Sequence, residues 1–376
     1  MRPLQMVDTR TQYLKIKPAV DAAVLKVMES SQFIGGKVVN DFAANLAAYN
    51  QVKHVIPCAN GTDALQISMM ALDLKPGDEV ITPSFTYIAT VEAAALLHLQ
   101  PVFTEVDKHT FCMDADAMEK AITPKTKAII PVHLYGHAAE MEKIMAIAKK
   151  YGLFVIEDNA QAIGCEYTFR DGSVKKTGSI GHIGCTSFYP SKNLGAFGDG
   201  GAIFTNDDAL AEKLKKIASH GQSKKYYHDM VGCNSRLDAL QAAILDIKLT
   251  HLDEYTDARR KAADFYDKAF AGNQKITTPL RAAYSKHVFH QYTLILNEVD
   301  RDGLNNYLAE KGIPSMIYYP VPCHKQKMFD TFGGSSYQLP VTDWLTERVI
   351  SLPMHTELDE EQQASIVSNI LSYINR

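Results

Sequence analysis

The chain has 376 residues, 46% of them hydrophobic and 22% charged, which fits a globular protein with apolar mass for two domains and excludes a disordered or fibrous one. A formal net charge of −4, with short basic runs such as Lys224-Lys225, excludes the electrostatic footprint of a nucleic-acid or anionic-membrane binder. The opening MRPLQMVDTRTQYLKIK lacks an apolar signal core, no apolar run approaches the ~20 residues of a membrane span, and the six cysteines (58, 112, 165, 185, 233, 323) form no CxxC pair. The expectation is a cytoplasmic protein with free, buried thiols.

From Val52 to about Asn206, short apolar runs alternate with helical patterns. HVIPC is followed by the amphipathic ALQISMMAL, EVITP by a helix over Ile88 to Leu97, and then PVFTEVD; next come KAIIPVH, a helix near Met141 to Lys150, FVIED, CTSFYP and GAIFTN. Strands alternating with helices predict βαβ units and an α/β fold with a mainly parallel sheet. In such sheets ligands gather beyond the carboxyl ends of the strands, where Asn60 to Asp63, Ser84 to Tyr87, Asp158 and Lys192 all fall. A long helical stretch, Leu237 to Phe270, leads into shorter elements ending in a helix near Glu360 to Tyr373. This predicts a large domain over 1–250 and a smaller α+β domain over 251–376.

Three segments carry chemistry. In CANGTDALQISMM a strand ends at Cys58 and Asn-Gly-Thr-Asp opens a helix, which either caps that helix through Asn60 or Thr62 or presents free N–H groups to an anion such as phosphate. In FVIEDNAQAIG, Asp158 follows an apolar strand among small residues; it is either a turn aspartate or the partner of a protonated heterocycle nitrogen, as in pyridoxal phosphate sites. Gln161, three residues on, either faces the same ligand or completes a capping box. In TSFYPSKNLGAFGDGG, Lys192 is hemmed in by Phe188, Tyr189, Pro190 and Phe197, a crowded setting that lowers an amine's pKa and frees it for Schiff-base chemistry. Ser187 can lend a hydroxyl to a phosphate, and the glycines at 195, 198, 200 and 201 allow close backbone approach.

Together with PGDEVITPSFTYIAT and GCNSRLDALQAAIL, these segments make the chain resemble, nearly end to end, the DegT/DnrJ/EryC1/StrS family of pyridoxal-phosphate-dependent nucleotide-sugar aminotransferases. The resemblance implies the fold type I architecture and a homodimer with shared active sites. It implies that Lys192 carries the internal aldimine, Asp158 holds the pyridinium nitrogen, Tyr87 stacks on one ring face and Gln161 packs on the other. Gly61, Thr62 and Ser187 would bind the cofactor phosphate, with Asn234 reaching in from the second subunit. L-glutamate would give the amino group and a nucleotide-linked keto-sugar would receive it, with one lysine as covalent anchor and general base.

Within the family, TPSFTYIAT, HGQ and VISLPMH look closest to the subgroup that aminates UDP-2-acetamido-2-deoxy-3-oxo-glucuronate in lipopolysaccharide or O-antigen synthesis. An acid sugar needs a cation, and Arg236 either meets its carboxylate or ties the dimer together. Resemblance to the subgroup also brings Ser31, Phe33, Ser191, Tyr318 and Tyr319 to the sugar. Ser31 stands where the family pattern has glycine and Tyr318 where it has histidine, and both positions bear on specificity. His133 and His137, four apart across a strand and a turn, do not stack as on a helix, so no metal is read from them. His220 and His324 are read as polar residues at the cleft rim, and Met69, Met70 and Trp344 as core. Two other readings are argued against by the residues present: a sugar dehydratase, in which histidine would replace Lys192, and a non-catalytic regulatory homologue, which would have lost Lys192, Asp158 or Ser187; an aminotransferase for a dTDP- or UDP-linked 6-deoxy 3-keto or 4-keto sugar stays open.

Overall fold

The computed structural model describes residues 2–375. Apolar strands rich in Val and Ile, buried on both faces, assemble into one seven-stranded sheet. Across the sheet the order is His54–Cys58, Gly201–Thr205, Ile183–Ser187, Phe154–Asp158, Thr126–Ile129, Glu79–Pro83 and Gln100–Thr104. The last five run parallel, whereas Gly201–Thr205 is antiparallel to both of its neighbours. Helices connect the parallel strands, among them Gly61–Ala71, Ala89–Leu96 and Met141–Tyr151, and the core fills both sides of the sheet. The register sets the carboxyl ends of Phe154–Asp158 and Ile183–Ser187 side by side, with Asp158 opposite Cys185.

The long helical stretch read from the sequence is two helices, Ala239–Leu249 and Leu252–Phe270, parted at Thr250-His251. Beyond it, the three-stranded antiparallel sheet Ile276–Thr277, Tyr292–Leu296 and Val349–Leu352 shares a core of Tyr266, Phe270, Leu294, Leu352, Ile366 and Ile370 with the flanking helices. Two helices, Thr9–Ser30 and Gly36–Asn50, precede the first strand, and the second lies against Ala239–Leu249. Among the described residues, no helix is long and apolar enough to cross a membrane.

Side chains alternate along Phe154–Asp158, so Glu157 and Asp158 face opposite ways. Glu157 is fully buried and accepts four hydrogen bonds, from the N–H groups of Gly178 (2.8 Å), Ile180 (2.7 Å) and Gly181 (2.6 Å) and from His133 Nε2 (2.8 Å). His133 Nδ1 accepts from Ala139 N at 3.0 Å, which assigns the proton to Nε2 and makes the ring a donor to Glu157. His137 is buried separately, with Nδ1 donating to Ala138 O at 2.8 Å, and burial pushes its pKa down to about 4. Both histidines are therefore engaged in packing the strand ends. Replacing Glu157 by alanine strands four buried donors, so Glu157→Ala is expected to lose about 3 kcal/mol or more in urea unfolding; a loss under about 1 kcal/mol would show that the cluster anchors little.

Candidate functional site

The helix Gly61–Ala71 starts where the strand His54–Cys58 ends. Asn60 is its N-cap, with Oδ1 accepting from Asp63 N at 2.8 Å, so the cap is Asn60 rather than Thr62. That bond leaves the amides of Gly61 and Thr62 without a partner in the described chain, as the first turn of a helix requires. Gly61 lies against the end of the strand Ile183–Ser187: a Cβ there would sit 2.9 Å from Ser187 Cβ. Ser187 Oγ accepts from Tyr189 N at 3.3 Å, which leaves its proton free to donate. Gly61, Thr62 and Ser187 thus form one small donor-lined concavity with a helix dipole behind it, the arrangement that suits a phosphate.

Asp158 is buried beside this concavity. Its Oδ2 accepts from Thr90 Oγ1 at 2.8 Å and its Oδ1 from Ala160 N at 3.1 Å. A carboxylate has about four lone-pair positions, so capacity remains for a further donor such as a heterocycle N–H. Lys192 sits within the field of Asp158, which pulls its pKa up, yet burial outweighs that pull and brings the amine down to about 8. Of the apolar neighbours read from the sequence, Phe188 is buried, but Tyr189 and Phe197 turn to solvent, so crowding by those two rings is not what dries the amine. Tyr87, 57% exposed, presents an open ring face at the mouth of the site. Gln161 makes no capping box; Oε1 accepts from Tyr135 N at 2.7 Å and Nε2 donates to the Tyr319 hydroxyl at 3.0 Å.

Two residues escaped the sequence reading. Thr90 orients Asp158, and the signal was present in TYIAT, a hydroxyl set at the start of a helix four residues after Thr86. Lys248, fully buried, donates to Gly195 O at 2.5 Å and so pins the turn that follows Lys192; burial lowers its pKa to about 8 as well. A lone lysine in the apolar helix ALQAAILDIKL was its signal.

The remaining candidates divide. Ser31 ends the first helix at φ 55°, ψ 20°, a left-handed cap where glycine is the usual residue, so serine there carries backbone strain. Phe33 and Ile34 are exposed, while the backbone docks through Ala239 N to Phe33 O at 2.9 Å and a bridge from Ile34 to Asp238, which brings the segment to the start of the helix after Arg236. Ser235 is buried and accepts from Ala59 N at 3.0 Å; its neighbours Asn234 and Arg236 point outward, exposed, and Arg236 makes no ion pair among the described residues. Ser191 is part-buried beside Lys192. Tyr318 and Tyr319 join the site through their neighbours: the Tyr135 hydroxyl donates to Tyr318 O, Gln161 to the Tyr319 hydroxyl, and burial raises both phenol pKa values. His324 is not at the rim; it is buried, accepting from Ser84 Oγ at Nδ1 (2.7 Å), while its own N–H donates back to Ser84 Oγ at 3.0 Å. His220 is exposed. Met69 is fully buried, and Met70 and Trp344 pack against the core.

The family model for the DegT/DnrJ/EryC1/StrS aminotransferase family matches residues 15–371. The chain is 47% identical, over 98% of both chains, to a Geobacillus stearothermophilus protein named pleiotropic regulatory protein. It is 46% identical to the UDP-N-acetyl-3-dehydro-alpha-D-glucosamine 3-aminotransferase of Acidithiobacillus ferrooxidans, over 98% of this chain and 97% of that one. It is 45% identical to the UDP-2-acetamido-2-deoxy-3-oxo-D-glucuronate aminotransferase of Pseudomonas aeruginosa, over 95% and 96%. Among solved structures, that of S. venezuelae DesV in complex with a ketimine intermediate superposes with a TM-score of 0.94 at 36% identity, each chain covered in full. An amine lowered to about 8 sets a pH dependence. Uptake of pyridoxal phosphate by the cofactor-free protein should quicken as pH rises through about 8 and level off above it, because only the uncharged amine attacks. Followed by stopped-flow absorbance, a rate still climbing at pH 10 would contradict the drying of Lys192.

Proposed function

The chain belongs to the DegT/DnrJ/EryC1/StrS aminotransferase family, and from that premise we propose that it moves the amino group of L-glutamate to C3 of UDP-2-acetamido-2-deoxy-3-oxo-glucuronate. The observation that carries the reading is the desolvated amine of Lys192 in the field of Asp158, together with the free donors that Gly61, Thr62 and Ser187 gather at a helix start. These residues fit pyridoxal phosphate, the cofactor of the family. When bound, it supplies a protonated ring that accepts the electron pair left on a deprotonated carbon. Gly61, Thr62 and Ser187 would hold its phosphate, Asp158 would keep the proton on its ring nitrogen, and Tyr87 and Gln161 would lie on either side of its ring. Lys192 Nζ would take the α-proton of L-glutamate; with the amino group kept by the cofactor and one water consumed, the carbon skeleton leaves as 2-oxoglutarate, and in the second half of the cycle the amino group replaces the C3 keto oxygen of the sugar, which leaves as water, while Lys192 returns a proton to C3.

The regulatory name of one relative does not argue against chemistry here, because Lys192, Asp158 and Ser187 are all present and assembled. The choice of sugar rests on the Pseudomonas aeruginosa relative and on Arg236, an exposed guanidinium without an acidic partner among the described residues, which can take a carboxylate with two hydrogen bonds. The Acidithiobacillus relative supports a second reading, the same 3-keto position on a sugar without the carboxylate. Asn234 and Arg236 are exposed in the single chain, and the proposal includes a homodimer in which each chain lends these residues to the other's site. It also takes 1–250 as the cofactor domain and 251–376 as the smaller one. Ser31, Phe33, Ser191, Tyr318 and Tyr319 are placed around the sugar. The enzyme would act in the cytoplasm, in lipopolysaccharide or O-antigen synthesis.

Two variants test these roles. Lys192→Ala is expected to abolish transamination and the visible absorbance of the bound cofactor while circular dichroism stays unchanged; measurable turnover would remove the lysine from its role. Arg236→Ala should cost the acid sugar roughly 10- to 100-fold in kcat/KM, the worth of a hydrogen bond to a charged group, and leave the glutamate half-reaction within about threefold. Equal losses in both half-reactions would make Arg236 a structural residue.

A further inference from the structure

Asp158 does not face the site alone. Its Oδ2 accepts the Thr90 hydroxyl at 2.8 Å, and Thr90 Oγ1 lies 3.2 Å from Thr86 Oγ1. All three side chains are buried. A threonine hydroxyl has one proton. With the proton of Thr90 committed to the carboxylate, the contact between the threonines has a single consistent direction: Thr86 donates to Thr90, and Thr90 donates to Asp158. Chained hydroxyls polarise each other, and in a dry interior that raises the pull of the last one on the oxygen it meets. The relay is held from outside. Cys323 N donates to Ser84 O at 2.9 Å, Cys323 Sγ to Thr86 O at 3.5 Å, and Thr90 N to Tyr87 O at 3.2 Å, so the turn that presents the Tyr87 ring also fixes both hydroxyls.

We propose that Thr90, backed by Thr86, is a positioning and tuning residue that keeps the shared proton on the cofactor's ring nitrogen rather than on Asp158. The inference rests on the assignment of Asp158 to that nitrogen. A carboxylate oxygen that already accepts a buried hydroxyl carries less free charge, so a proton lying between Asp158 and a pyridine nitrogen stays with the nitrogen. Without the hydroxyl, the charge returns to the carboxylate and the proton moves toward it. The ring then becomes a poorer acceptor of electrons, and the proton abstraction by Lys192 slows. A purely structural hydroxyl, present only to satisfy a buried oxygen, would stabilise the fold and leave the proton where it is.

The test is nitrogen-15 NMR of holoenzyme loaded with ring-labelled pyridoxal phosphate, alongside single-turnover kinetics with L-glutamate. In the unmodified protein the ring nitrogen should resonate as a protonated pyridinium; a neutral-pyridine shift there would defeat the assignment of Asp158 itself. Given the pyridinium signal, Thr90→Val should move the shift toward the neutral value and slow the glutamate half-reaction about tenfold or more, the effect of one hydrogen bond to a charged group. Thr90→Ser, which keeps the hydroxyl, should restore both. A Thr90→Val protein with a lowered melting temperature but an unmoved nitrogen shift would overturn the proposal. So would a Thr90→Ser protein whose shift moves although its hydroxyl is retained, a result that remains decisive if the valine variant does not fold.

Discussion

An amine is a nucleophile and a base only while it is uncharged, and the site depends on keeping one lysine in that state a short distance from a carboxylate that favours the charged form. Burial and Coulomb attraction pull on Lys192 in opposite directions, and burial prevails, leaving the amine at about 8. Asp158 is itself held by two hydrogen bonds, from Thr90 and from the amide of Ala160.

The strand end shows how two adjacent carboxylates come to have different tasks. Glu157 is saturated by four donors and is spent on anchoring the turn Gly178–Gly181. Asp158 accepts only two and retains capacity toward the site. Pleating sends the side chains to opposite faces, so one strand supplies both a rigid support and a reactive contact. The support continues through the backbone, since Asp158 N donates to Pro131 O at 2.9 Å and His133 N to Asp158 O at 3.1 Å. The histidine that donates to Glu157 is therefore also the residue that fixes the main chain of Asp158. A carboxylate held this firmly does not have to reorganise when charge develops on the ligand it faces.

Much of this was legible in the sequence, for a physical reason. Buried parallel strands appear as continuous apolar runs, and the residues just past them, Asn60, Asp158 and Ser187, break those runs conspicuously. The helix from Ala89 to Leu96 was expected one residue longer at each end, as is usual where helices fray. What could not be read were partnerships across long separations. Nothing in FVIEDNAQAIG tells that Gln161 is taken by Tyr135 and Tyr319, or that Glu157 ranks with the most buried groups of the chain. The mistaken crowding of Lys192 has the same origin: neighbours in sequence lend dryness only if they turn inward, and Tyr189 and Phe197 do not. His324 was placed at the rim because a histidine in a polar loop resembles surface, whereas its two bonds to Ser84 draw it into the interior.

The exposed groups around the concavity complete the physical argument for the proposed homodimer. Phe33, Ile34, Tyr87, Tyr189, Phe197 and Val231 all show large apolar surface in the single chain. Apolar surface of this extent is what a partner of the same chain would cover. Ser235 is buried and holds Ala59 N just before the start of the helix Gly61–Ala71, while its two polar neighbours, Asn234 and Arg236, are exposed. A second copy laid over this surface would cover the apolar residues and give the outward pair a cleft to enter. The desolvation that makes Lys192 reactive would deepen, and the cation offered to an acidic sugar would come from the covering chain. On that view, specificity for the sugar and reactivity of the amine are set by a single act of association.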